Sequence, residues 1–206
     1  MVSRAARPVL TVLAIGALVT GVVAGCGGSG KSAKLSHDGY AAAAVLAGVA
    51  AKQLSEPRAE APTLIRAACA KVRTYTDTEA KVMANECTGA EAYVAATSRA
   101  NACAGAGNGT CQLTALSDAA AGLGRQVAAG RKLQDMLAAG PCRNALARGT
   151  TIDARLAADL VQLAHAAERG DQTGVSREES ALSTLTSQAL PDQAKGAARI
   201  AACKPS

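Results

Sequence analysis

Apolar residues recur at alternating spacings of three and four along much of the chain, a pattern that predicts helices buried along one face. The clearest run comprises Leu113, Leu116, Ala120, Leu123 and Val127, and Leu133, Met136 and Leu137 extend it toward Gly140-Pro141. A second run follows Thr151 and ends at Gly170; it comprises Ile152, Leu156, Leu160, Leu163 and Ala167. We find no convincing strand pattern, so the sequence predicts an all-α protein.

The other helices have less distinct limits. Residues 38–54 predict a first helix with Asp38 as N-cap, and a second helical region starts near Pro62. Capping-box patterns at residues 76–79 and 88–91 predict that this region divides into two or three shorter helices, and a third box at residues 176–179 predicts another helix start. Pro191 is expected to begin a last helix through Cys203. Helical runs with short Gly/Pro breaks indicate an antiparallel helical bundle over residues 37–206.

The N-terminus has the order of a bacterial export signal. Arg4 and Arg7 precede the sixteen uncharged residues 9–24, a run too short for a typical membrane span but suited to a signal peptide. It ends in Val23-Ala24-Gly25-Cys26. This motif resembles the lipobox of bacterial lipoproteins. The resemblance implies that residues 1–25 are cleaved and that Cys26 carries acyl chains such as palmitate, which anchor the protein outside the cytoplasmic membrane.

The same region also matches a nucleotide-binding pattern. Residues 25–32 read GCGGSGKS and satisfy the P-loop consensus, in which backbone amides cradle phosphates. That loop needs a strand before it and a parallel sheet around it, and the sequence predicts neither. We therefore interpret residues 26–36 as a Gly/Ser tether and expect no nucleotide and no cofactor.

Seven cysteines leave an even set once Cys26 is assigned to lipidation. The other six are Cys69, Cys87, Cys103, Cys111, Cys142 and Cys203, and outside the cytoplasm they predict three disulfides. Fifteen pairings are possible. Cys103 with Cys111 is favoured because a glycine-rich turn separates them, and a bridge from Cys203 to Cys142 would fasten the last helix. There is no C-x-x-C motif, and His37 lies far from His165 in the sequence, so we expect no metal site.

Composition removes several functions. The chain has no Trp, no Phe and three Tyr, so it lacks the rings that stack on nucleic-acid bases. The net charge is +6, and loss of Arg4 and Arg7 leaves 20 basic against 16 acidic residues, about +4, without a basic block.

Alanine-rich helices bury little area each, so disulfides would compensate for a thin core. His165 and Glu168 are expected to form a surface pair without a catalytic role, and no G-x-S-x-G motif occurs.

These observations lead to one leading hypothesis and two alternatives. The leading hypothesis is a membrane-anchored extracytoplasmic lipoprotein whose non-enzymatic helical domain binds another envelope protein, scaffolds or senses. The first alternative is a binding module for a small apolar or lipidic ligand held between helices. The second is an envelope hydrolase that uses His165.

Overall fold

The computed structural model describes residues 32–55 and 61–205. Within these ranges the chain forms seven α-helices and a final 3₁₀ turn at Ala201–Cys203: α1 (His37–Ser55), α2 (Ala61–Val72), α3 (Thr78–Gly105), α4 (Gly109–Gln134), α5 (Pro141–Glu168), α6 (Gln172–Ala194) and α7 (Gly196–Ile200). They contain no strand, and Ser32 makes only an isolated bridge with Leu137. The predicted all-α helical bundle is confirmed.

Helices α3 to α6 pack in chain order, each against the next. This arrangement is possible because the turns between these helices are short. Gly107, with φ of +69°, lies between α3 and α4, and Gly170, with φ of +68°, lies between α5 and α6, both in the left-handed region that favours glycine. After each glycine a side chain caps the following helix: Asn108 accepts a hydrogen bond from the amide of Cys111, and Asp171 accepts one from the amide of Gly174. The short turns return each helix along its predecessor.

The break predicted at residues 76–79 is confirmed, because α2 ends at Val72 and α3 begins at Thr78, but the breaks predicted at residues 88–91 and 176–179 are wrong. Helix α3 continues through Thr88, whose hydroxyl donates to the carbonyl of Ala84 (3.3 Å) instead of capping a new helix. The N-cap of α3 is Asp77, whose carboxylate accepts from the amide of Ala80 at 2.9 Å. Helix α6 begins at Gln172 rather than at Ser176. Because serine and threonine can bond to the preceding turn of their own helix, the box pattern alone does not mark a helix start.

Three other limits also differ from the prediction. Helix α5 begins at Pro141, well before its apolar run, because proline suits a first helical position. Helix α6 passes through Pro191 to Ala194, so Pro191 does not open the last helix. In α1 the hydroxyl of Ser36 accepts from the amide of Gly39 (3.2 Å), and Asp38 lies inside the first turn. The carboxylate of Asp38 instead accepts the amide of Thr76 at 2.9 Å, and this bond is the main reason that its pKa is lowered.

Helices α3 and α4 approach closely where two glycines face each other. A Cβ added to Gly122 would lie 2.7 Å from the backbone nitrogen of Tyr93 and 3.0 Å from the carbonyl oxygen of Gly89. A Cβ added to Gly89 would lie 2.7 Å from the carbonyl oxygen of Gly122. Only residues without a side chain permit such backbone contact. The pair fixes the distance between the two helices.

All six cysteines from Cys69 onward are paired. Cys103 joins Cys111 across the α3–α4 turn, and Cys142 joins Cys203, with Cα–Cα distances of 5.7 and 4.6 Å. These are the two pairings that the sequence favoured. The third bridge links Cys69 on α2 to Cys87 on α3, with a Cα–Cα distance of 5.4 Å. The bridges thus fasten α2 to α3, α3 to α4, and the start of α5 to the end of the described chain.

Residues 32–36 lie against the domain, although the sequence assigned them to the tether. The Leu35 side chain is 2% exposed, and its amide donates to the carbonyl of Cys203 at 3.1 Å. The carbonyl of Ser32 accepts from the amide of Ala138 at 2.8 Å. A buried leucine with two flanking backbone bonds explains why the packed domain starts before His37. The rest of the predicted tether, residues 26–31, lies outside the described residues, as does the signal peptide.

Candidate functional site

Three polar side chains are buried among the long helices α3, α4 and α5, and each helix contributes one. Glu86 of α3 is 3% exposed, and Gln126 of α4 and Asp153 of α5 are 0% exposed. Each occupies a position of its helix that faces the neighbouring helix among buried apolar residues. Buried side chains of these types are uncommon unless they are paired. We call Glu86, Gln126 and Asp153 the interior polar cluster.

Two observations place the three side chains close together: the proximity of Gly89 to Gln126, and the electrostatic interactions of Asp153. The Gln126 side chain reaches α3, since a Cβ on Gly89 would lie 2.8 Å from its Cγ atom. Gly89 follows Glu86 by about one helical turn and therefore shares its face of α3. Asp153 interacts electrostatically with Glu86 and with Tyr93, which lies about two turns after Glu86. The side chain from α4 thus meets α3 where a carboxyl group of α5 also approaches.

The polar atoms of this cluster lack hydrogen-bond partners among the described residues. They are Glu86 Oε2, both carboxyl oxygens of Asp153, and both amide atoms of Gln126. Burial raises the pKa of Glu86 to about 8. Burial, followed by the charge of Glu86, raises the pKa of Asp153 well above its ordinary value. Burial and the charge of Asp153 also raise the pKa of the Tyr93 hydroxyl. The protein environment therefore favours the neutral forms of these groups.

The cluster is sealed from solvent, so it does not form a site where substrate meets a reactive group. It also offers few metal ligands. Among residues 32–55 and 61–205, no group of three or more His, Cys, Asp or Glu side chains is arranged to hold a metal ion. The two buried carboxyl groups can bind and release protons, because their charge state is linked to their burial.

A surface groove of about 410 Å³ lies between α5 and α6. Its lining residues are Arg155, Asp159, Ser180, Ala181, Thr184, Leu185 and Gln188. Five of these seven side chains are polar or charged, and with Ala181 and Leu185 they give the groove a lining of mixed polarity. Burial and the neighbouring charge of Glu178 raise the pKa of Asp159, while Arg155 lowers it. Outside this groove, Val161 is the one large apolar side chain that is exposed among the described residues.

The other predicted site residues are separate from the cluster. His165 Nδ1 lies 3.2 Å from Glu168 Oε2, and both side chains are more than half exposed. This is a surface pair on one helix, as the sequence indicated. Cys26 and most of the P-loop pattern lie outside the described residues. No helix within the described ranges has the length and hydropathy that a membrane crossing requires.

Sequence reasoning missed the interior polar cluster, although a signal for it existed. Asp153 falls on the buried face of α5 defined by Leu146, Gly149, Leu156 and Leu160. A carboxylate on an apolar face predicts either a buried functional group or a helix rotated toward solvent. Because alanine covers several faces of these helices, the sequence does not tell which of the two applies.

The comparisons with known proteins identify no relative. No family model matches the chain, and neither a curated protein nor a solved structure matches it significantly. Function must therefore be argued from the residues of this chain alone.

Proposed function

We propose that the protein is a bacterial lipoprotein, anchored through acyl chains on Cys26 outside the cytoplasmic membrane. We further propose that its helical domain binds another envelope protein without catalysing a reaction. The cysteines carry this proposal. The six cysteines after Cys26 pair with one another in three disulfides, which leaves the lipobox cysteine as the one of seven without a pairing role.

The disulfides support an extracytoplasmic location by a physical argument. Disulfides persist in oxidising compartments and are rare in the cytosol. All six cysteines lie at distances that allow three disulfides to form in the same structure. The fold is therefore consistent with oxidised cysteines. An odd thiol would be reactive in such a compartment, and acylation of Cys26 removes it.

The α5–α6 groove supports the second half of the proposal. It is open, and it carries both a positive and a negative side chain in Arg155 and Asp159 beside apolar groups. Transient protein interfaces have a similar mixed character. In contrast, His165 is hydrogen-bonded to an exposed carboxylate on its own helix and lines no part of this groove. We therefore place the partner surface at the groove.

Anchoring is tested with the Cys26→Ser variant in cells fed a palmitate analogue. We expect Cys26→Ser to lose both lipid labelling and membrane retention, because serine lacks the thiol that is acylated. Ser29→Ala is the matched control and keeps both. Lys31→Ala also keeps both, and it would alter the protein's behaviour only if the P-loop pattern bound a nucleotide. Unchanged membrane partitioning of Cys26→Ser would refute the anchor.

The partner surface is tested in the same cells by site-specific photo-crosslinking. A photoreactive residue at Thr184 or Gln188, both in the groove, is expected to give one shared cross-linked species. The same residue at Arg125, exposed on α4, is the control and should not give it. Equal cross-linking from all three positions, or none from the groove, would contradict a partner surface between α5 and α6.

A further inference from the structure

The interior polar cluster contains two acidic groups and no basic one. Gln126, the member on α4, is neutral. Burial and the charge of Glu86 raise the pKa of Asp153, and burial raises the pKa of Glu86. No lysine or arginine compensates either carboxyl group in these interactions.

The charged residues of the surrounding helices do not face the interior polar cluster. On the three long helices the nearest basic residues in sequence are exposed; they are Lys81, Arg125 and Arg155. On α1 and α2, which pack against α3, the basic residues Lys52, Arg66 and Lys71 are exposed as well. On α6, Glu178 acts on Asp159 rather than on Asp153 and accepts a hydrogen bond from Arg177 at 2.8 Å.

We propose that Glu86 and Asp153 form a proton-binding pair, which keeps α3, α4 and α5 closed while it carries protons and loosens them when the protons leave to solvent at higher pH. This inference does not depend on the lipid anchor or on the partner surface.

The helix packing explains why the pair cannot relieve an ionised state by turning toward water. At Gly89, one turn beyond Glu86, the α3 backbone is in contact with the α4 backbone. Gln126, which approaches this same point, is held by the same contact. Hydrating Glu86 therefore requires α3 and α4 to separate. An ionised carboxylate in the interior is costly unless it is paired, and a second carboxylate is the wrong partner.

The direction of the pH effect follows from proton linkage. The pKa of Glu86 is about 8 in the folded protein and near its ordinary value of 4.5 in the unfolded chain, so the folded state binds more protons between these values. The stabilising effect of protonation is complete below pH 4.5 and declines as the pH rises toward 8. From pH 5 to pH 9, Glu86 alone raises the unfolding equilibrium constant on the order of several hundredfold. Asp153 acts in the same direction.

The test is urea unfolding of the full chain with its disulfides intact, between pH 5 and pH 9. The wild type is expected to lose stability by the several-hundredfold factor above. Glu86→Gln and Asp153→Asn keep the shape of the protonated acid, so each should reduce the loss, and the double variant should nearly abolish it. Asp118→Asn, which removes an exposed carboxylate from α4, is the control and should keep the wild-type dependence.

A second measurement uses the wild type alone, in case a variant fails to fold. Unfolding at pH 7 in weakly buffered solution should release about one to two protons per chain, since the unfolded carboxyl groups ionise. No release of protons, or an unchanged pH dependence in Glu86→Gln, would overturn the proposal. Recovery of wild-type stability at pH 9 on addition of calcium, magnesium or manganese would also overturn it, because the cluster would then be a cation site.

Discussion

Replacing Gly122 by alanine should destabilise the protein, although alanine is a better helix former than glycine. The added Cβ would meet the backbone nitrogen of Tyr93 at 2.7 Å and its Cα at 3.0 Å. These are backbone atoms of α3, so they cannot rotate away as a flexible side chain would. To reach ordinary contact distances, the two long helices must move apart at their closest point.

The magnitude can be worked from two opposing effects. Overpacking of a close-packed interior costs about 1–3 kcal/mol, and a contact with several fixed atoms belongs at the upper end, near ~3 kcal/mol. The helix propensity of alanine returns about 1 kcal/mol. The net expectation for Gly122→Ala is a loss of ~2 kcal/mol. At Gly124, on the same helix, a Cβ meets nothing within 4 Å, so Gly124→Ala should gain about 1 kcal/mol.

The assay is urea unfolding followed by circular dichroism at a fixed pH, with all three disulfides formed. The two variants make the same chemical change two residues apart, so their difference of ~3 kcal/mol isolates the helix contact from propensity. If Gly122→Ala were as stable as Gly124→Ala, the close approach of α3 and α4 at the glycines would be wrong.

The remaining predictions concern two of the disulfides and the packing of Leu35 in the N-terminal segment. Replacing both Cys142 and Cys203 by alanine should cost about 4 kcal/mol, and replacing both Cys103 and Cys111 about 2.5 kcal/mol, because the bridged residues are 61 and 8 positions apart and the longer loop loses more entropy on closure. Urea midpoints of the two double variants would show this order, and the reverse order would contradict it. Leu35→Ala should cost about 2–4 kcal/mol by leaving a cavity under the N-terminal segment, and a change below ~0.5 kcal/mol would mean that this segment is not packed.

The helical class and the buried faces could be predicted from the sequence because they depend on periodicity alone. Of the run that begins at Leu113, both Leu116 and Leu123 are buried, and in the next run Leu156 and Leu160 are buried. The Cys103–Cys111 disulfide followed from local geometry, because a short glycine-rich turn brings the two cysteines together.

The limits of the helices could not be predicted in the same way. A hydroxyl group that suggested a helix start can have a second use in the helix interior, as Thr88 shows by bonding to the carbonyl of Ala84. The interior polar cluster was missed for another reason. Glu86 and Asp153 are 67 positions apart, and only the packing of three helices brings them together.

The contact of Leu35 with Cys203 determines how the domain would be presented by an anchored chain. The entering segment and the last described turn lie together at one end of the bundle, held by the backbone bond from Leu35 and by the reach of the Lys34 ammonium group to the carbonyl of Lys204. Ser32 lies six positions after Cys26, and a fully extended chain spans at most about 3.6 Å per residue, so the spacer reaches about 20 Å. This end of the bundle would therefore remain close to the lipid surface, and a reporter fused after residue 206 would emerge on the membrane side.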